Sequence, residues 1–325
     1  MQKLVFSLIG LLLANVAIAQ PAARLTAEPD TSYNTPSDYR KTVKYFPNIR
    51  IVPDSINKKQ VKEIRNIIYT QVDGKDLHLS AFVPKKAKKP TPAIIIIHGG
   101  GWRSGNYKQH IPLAQHLAAK GYACFTIEYR LSTEALYPAA LCDISAAVRY
   151  VRANAKEFKV NPNHIATLGF SAGGHLAALF GAASQLPAFN NVSSYKNTSS
   201  KVNAVIDIDG TLSFMHPESS ETQNPNKEGA SAWWIGYPRT KRLDLWKEAS
   251  PLTYAESNQA PFLFLNSSIN RMHAGRDDFR KALTKNNVYS KVYTFPDTPH
   301  SFCLYYPWFP IVVEQIDLFL VKVFN

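Results

Sequence analysis

Hydrophobic and polar positions change character three times along the chain. The first stretch, Leu4 to Val16, is an apolar run behind one positive charge, Lys3, and it ends in Ala17-Ile18-Ala19 before Gln20. That order of charged, apolar and small residues predicts a cleaved export signal over residues 1–19, the run being too short to span a bilayer. Residues 20–60 carry Pro, Tyr, Asn and Ser with little periodicity and predict an irregular strap. From Val61 the pattern becomes regular. Ile64 to Gln71 and Leu77 to Val83 alternate apolar and polar positions about Asp73-Gly74, a hairpin signal. Ala93-Ile94-Ile95-Ile96-Ile97 is unbroken and mostly β-branched, as in a strand covered on both faces.

Beyond that strand the two periodicities alternate. Helices are predicted over Ile111 to Lys120, Asp143 to Phe158, His175 to Phe180, Phe279 to Lys285 and Pro310 to Phe324. Strands are predicted over Tyr122 to Tyr129, Ile165 to Thr167, Val202 to Asp209, Pro261 to Leu265 and Lys291 to Phe295. Such repetition implies an α/β fold with a doubly wound, mostly parallel sheet over residues 61–325. The alternation lapses between Thr211 and Asn258, which reads as an insertion after the sixth strand, rich in aromatics: Trp233, Trp234, Tyr237 and Trp246.

Composition narrows the classes. A chain of 325 residues with 45% hydrophobic content can bury a large core. Three cysteines, Cys124, Cys142 and Cys303, allow at most one disulfide, so the core must supply the stability. There is no C-x-x-C, no H-E-x-x-H and no metal-spaced cluster, and no metal or cofactor is expected. No cysteine stands directly after the cleavage point and no second apolar run is long enough to span, so no membrane anchor is expected. The net charge of +13 is spread thinly or in short runs such as Lys85-Lys86-Ala87-Lys88-Lys89, without a nucleic-acid module. For an exported chain this balance suggests an anionic polymer as partner.

The chemistry gathers in three places. Gly169-Phe170-Ser171-Ala172-Gly173-Gly174 joins a strand to a helix, a turn that holds a serine in strained backbone with Oγ projecting. Serine is a weak nucleophile alone and needs a base. His98-Gly99-Gly100-Gly101-Trp102 follows the Ala93 strand, where Gly100 and Gly101 N–H groups, with that of Ala172, would hold an oxyanion. The base should be His300, on a loop after a late strand; His98 and His175 read as structural hydrogen-bonders.

Together these motifs resemble α/β-hydrolase esterases of the hormone-sensitive-lipase and feruloyl-esterase-like branch. Tyr137-Pro138-Ala139-Ala140 and Ala249-Ser250-Pro251-Leu252 are similar to that branch as well. The segments Asn266 to Asp278 and Asp297 to His300 are similar to secreted carbohydrate esterases of Bacteroidetes, a group with pectin methylesterase-like members. The resemblance implies a Ser-His-Asp hydrolase without cofactor. It also exposes a departure, because the branch carries its acid after the penultimate strand, where this chain has Asn270. An amide cannot stabilise an imidazolium as a carboxylate does. Asp209, closing the preceding strand, is the preferred acid, with Asp277 and Asp278 at a helix start as alternatives.

Candidate substrate contacts are Trp102, Trp233 and Trp234, whose rings suit the apolar faces of sugars, and Arg271, His273 and Arg276, suited to carboxylates. The expectation is an exported serine esterase removing methyl esters from pectin galacturonate. The alternatives are a carbohydrate acetylesterase on xylan or pectin, an inactive carbohydrate-binding protein and a serine peptidase.

Overall fold

The computed structural model describes residues 25–55, 59–192, 194–220 and 229–324. The export signal expected at residues 1–19 lies outside them. The strands among these residues are β1 (Arg50–Ile51), β2 (Val61–Val72), β3 (Lys75–Pro84), β4 (Thr91–Ile97), β5 (Ala123–Ile127), β6 (Val160–Phe170), β7 (Ala204–Ile208), β8 (Phe262–Ser267), β9 (Ser290–Phe295) and β10 (Tyr305–Tyr306).

Eight of them form one sheet in the order β2-β3-β5-β4-β6-β7-β8-β9. The β2–β3 hairpin turns at Asp73-Gly74, and β3 also runs antiparallel to β5. From β5 to β9 all neighbours are parallel. Helices cross between the parallel strands on both faces, which makes this an α/β-hydrolase fold. The run in β4 shows why the sheet must be covered twice. Ile95 and Ile97 pack into one core and Ile94 and Ile96 into the other, all of them buried. Each such aliphatic side chain contributes about 1.5–3 kcal/mol by leaving water. All three cysteines are free and buried, so packing does hold the domain without a cross-link.

Two regions depart from the expected pattern. The strap is not wholly irregular, for it contains a helix at Thr35–Thr42. Asn34 accepts from Ser37 N at 2.8 Å while Ser37 Oγ takes the Asn34 N–H at 2.9 Å, and this reciprocal cap starts the helix. Its strand β1 then pairs with β10, Arg50 opposite Tyr306. The helix expected from Asp143 begins earlier, at Ala139 behind Pro138, and breaks at Asn154 into Ala139–Ala153 and Ala155–Phe158. Proline favours a helix start because its fixed φ suits the first turn.

Among the described residues, the interval between β7 and β8 contains two short helices, Ala230–Ile235 and Leu243–Glu248, and a 3₁₀ segment at Pro251–Ser257. Their apolar sides pack onto the domain, with Trp234 and Trp246 buried.

Candidate active site

Every chemical group of interest sits just past the carboxyl end of a parallel strand: Gly100 after β4, Ser171 after β6, Asp209 after β7 and His300 after β9. Open α/β sheets place ligands at that edge. Ser171 has φ 56° and ψ −121°, a strained backbone for a residue with a Cβ. The turn closes only because Gly173 lets the helix Ala172–Ala183 press against β4; a Cβ there would stand 2.2 Å from Ile97 O. Ser171 N donates to Ile208 O at 2.8 Å, tying the turn to β7.

His300 Nε2 lies 2.8 Å from Ser171 Oγ, and its Nδ1 lies 3.0 Å from Asp209 Oδ2. The carboxylate can only accept, so it accepts a hydrogen bond from Nδ1–H and leaves Nε2 to accept from the serine. Asp209 is buried, and it also accepts from Ser267 N at 2.8 Å and Ser267 Oγ at 2.5 Å. Asn270 is exposed, one turn beyond the end of β8. Strand β8 therefore contributes donors to the acid instead of the acid itself. Asp277 forms an ion pair with Arg276, and Asp278 with Lys281 and His216, so neither alternative acid meets His300.

Gly99 N donates to Gln109 Oε1 at 2.8 Å and is thereby engaged. The N–H of Ala172 opens a helix and has no acceptor within it. Gly100 (φ 126°) and Gly101 (φ 60°) turn their peptides in a conformation that β-carbons resist. Ala172, Gly100 and Gly101 line the same cavity as Ser171 and His300. Its volume is about 500 Å³, within the usual range for a small-molecule site.

Trp102, next in the loop, is fixed from behind. Its Nε1 donates to His175 Nδ1 at 3.2 Å, and His175 Nε2 pairs with Ala249 O at 2.8 Å. A carbonyl accepts only, so Nε2 carries the proton and the ring is neutral. Burial lowers the His175 pKa to about 4, against a smaller opposing pull from Ala249 O. His98 is likewise buried and lowered to about 4, with Nδ1 2.8 Å from Gly99 O. Both histidines brace the loops and stand apart from the serine.

The six substrate-contact expectations divide evenly. Trp102, Trp233 and Arg271 line the cavity. Trp234 does not: it is buried and stacked on Trp102, with ring centroids 5.2 Å apart. His273 is buried, and Arg276 turns inward to Asn266 and Asp277. The helix starting at Arg276 and the short turn before it fold these two back under the strand ends.

Two further groups of residues contribute without any local signal in the chain. Ser267 and Asn266 end an apolar strand and carry no motif. Asp30, Ser32 and Tyr33 of the strap also line the cavity. Asp30 N donates to Arg103 O at 3.2 Å, and its carboxylate accepts from Arg103 Nε at 3.0 Å. The Arg103 guanidinium in turn lies 5.2 Å from the Trp233 ring centroid. The strap thus reaches back to clasp the residues after the glycines. Only a long-range contact, invisible to local periodicity, puts it there.

The chain is similar to known esterases. The probable carboxylic ester hydrolase LipM of Mycobacterium tuberculosis is 30% identical over 226 residues, which are 66% of this chain and 50% of that protein. The chain spans about half the length of that curated relative. A carbohydrate esterase from gut microbiota, solved in truncated form, superposes with a TM-score of 0.68 at 22% identity, covering 82% of this chain and 97% of that one. A thermophilic esterase of Thermogutta terrifontis matches with a TM-score of 0.63 at 25% identity, covering 81% and 94%. Residues 79–272 match the BD-FAE family, and the chain belongs to that family.

Proposed function

We propose that the protein is a serine carboxylic ester hydrolase acting on carbohydrate esters. The observation that carries this is the continuous chain Asp209–His300–Ser171 opening on a cavity lined by Gly100, Gly101 and Ala172. Ser171 Oγ attacks the ester carbonyl as His300 Nε2 takes its proton, and the backbone N–H groups hold the oxyanion. The protonated imidazole then gives its proton to the departing alcohol. A water, deprotonated by His300, attacks the acyl-enzyme, and the acid leaves with Ser171 restored.

Esterase names among the relatives and the carbohydrate esterase of like fold support the reaction class and the sugar substrate. The finer reading is an exported enzyme that removes methyl esters from galacturonate units of pectin. The exposed Arg271 and the indole of Trp233 on the cavity wall favour a substrate with both a carboxylate and an apolar sugar face. Methanol release from methylated pectin, compared with acetate release from acetylated pectin and xylan, tests it. Added salt, or Arg271→Ala, should raise KM on pectin and leave neutral substrates alone, because ionic contacts at an exposed mouth are screened. Equal rates on neutral acetyl-xylan, with no salt effect, would assign a carbohydrate acetylesterase instead.

A further inference from the structure

Arg276 suggests a substrate contact by its sequence position, yet its side chain points toward the catalytic carboxylate from behind. Its Nε and Nη2 donate to the Asp277 carboxylate at 2.9 and 3.2 Å, and its Nη1 donates to Asn266 Oδ1 at 3.0 Å. Asn266 is fully buried at the end of β8, and its Nδ2 faces Asp209 Oδ1 at 3.4 Å. A guanidinium can only donate and a carboxylate can only accept. One amide orientation satisfies both neighbours, with the oxygen toward Arg276 and the nitrogen toward Asp209. The result is one run of polar contacts through Asp277, Arg276, Asn266, Asp209, His300 and Ser171.

Burial gives this run a purpose. Asp209 is 1% exposed, and a buried anion is costly without a partner. Its acidic neighbour Asp207 is buried too, and there burial raises the carboxyl pKa well above the usual range. Arg276, itself paired with Asp277, fixes the Asn266 amide so that its Nδ2 stays turned toward Asp209.

We infer that Arg276 is a positioning residue for the catalytic carboxylate, holding Asp209 in place through Asn266. This rests on the reading of Ser171, His300 and Asp209 as an esterase triad. The role is separable from substrate binding because it acts only through Asp209. On a neutral nitrophenyl ester, Arg276→Met, which keeps the aliphatic stem, should lower kcat about tenfold, the scale of one hydrogen bond to a charged group. KM should hold steady. Arg276→Lys, which keeps the charge, should recover part of the loss.

The deciding measurement is a double-mutant cycle. In an Asp209→Asn background, Arg276→Met should lower kcat no further. An undiminished loss in that background, or a raised KM with unchanged kcat, would overturn the inference. Should Arg276→Met fail to fold by circular dichroism, Arg276→Lys in the same two backgrounds makes the same comparison. An Asp209→Asn enzyme with full kcat is a different result, which removes the triad reading and this role with it.

Discussion

Asp209 and His300 stand 91 positions apart in sequence, yet the carboxylate Oδ2 lies 3.0 Å from the imidazole Nδ1. The acid comes from the end of β7 and the base from the loop after β9, with β8 between them. Ser267 at the tip of β8 fills that gap by donating both its N–H and its hydroxyl to the carboxylate. The pairing therefore depends on three strand ends.

Replacing the acid tests this directly. Asp209→Asn should reduce kcat by roughly 10⁴, the loss expected when a triad carboxylate becomes an amide. Asp278→Asn should be nearly silent, because Asp278 pairs at the surface with Lys281 and His216. Nitrophenyl ester kinetics on the folded variants provide the comparison, and comparable losses in both would show that the acid has been misassigned.

Ser267→Ala removes one hydroxyl from Asp209 Oδ2 and leaves the backbone donor in place. A hydrogen bond to a charged group is worth about 1.5–3 kcal/mol, so kcat should fall about ten- to a hundredfold. KM on a small ester should be unchanged. A full-rate Ser267→Ala enzyme would mean that His300 and the remaining donors suffice to hold the acid.

Asp30→Ala tests the strap. Asp30 pairs with Arg103, one residue beyond Trp102, and a parallel bridge joins it to Ser104. Loss of the carboxylate should loosen the loop that aims Gly100 and Gly101, lowering kcat on a small ester while the melting temperature changes little. Tyr33 and the Thr35–Thr42 helix remain to anchor the strap. Unaltered kcat would confine Asp30 to the cavity wall.

Stability should fall on acidification in a window set by buried histidines. Burial holds His98 and His175 near pKa 4 and His110 near 3, all below the ordinary value of 6.5. With folded pKa values depressed, the unfolded chain binds these protons first as pH falls, so the stabilisation present above pH 6.5 is lost between about 6.5 and 4 for His98 and His175, and down to about 3 for His110. Each histidine adds at most about 1.4 kcal/mol per pH unit to the slope there. Calorimetric melts at successive pH values measure it. His175→Gln should flatten the slope, and an unchanged slope would show that this ring does not take up its proton on unfolding.

The sequence alone determined the scaffold and three points of the chemistry: Ser171, the glycine loop and the base His300. The alternating periodicities from Val61 onward specify strands and helices locally, and the unbroken Ala93–Ile97 run requires two covered faces, so the α/β layering was legible. Ser171 and the glycine loop were legible because a tight turn or a close backbone approach restricts the residue at each position. The acid was not. Asp209, Asp277 and Asp278 each close a strand or open a helix, and only the stacking order of β7, β8 and β9 decides which carboxylate meets His300. The division of the six candidate contacts was equally out of reach. Trp233 and Trp234 are adjacent in sequence, but one helical step apart they face the cavity and the core respectively. Arg271 and Arg276 differ in the same way: a 3₁₀ turn leaves the first at the mouth, and the following helix folds the second inward to Asn266. Local pattern fixes which residues are apolar or charged, but the direction each side chain takes is set by the packing of elements distant in sequence.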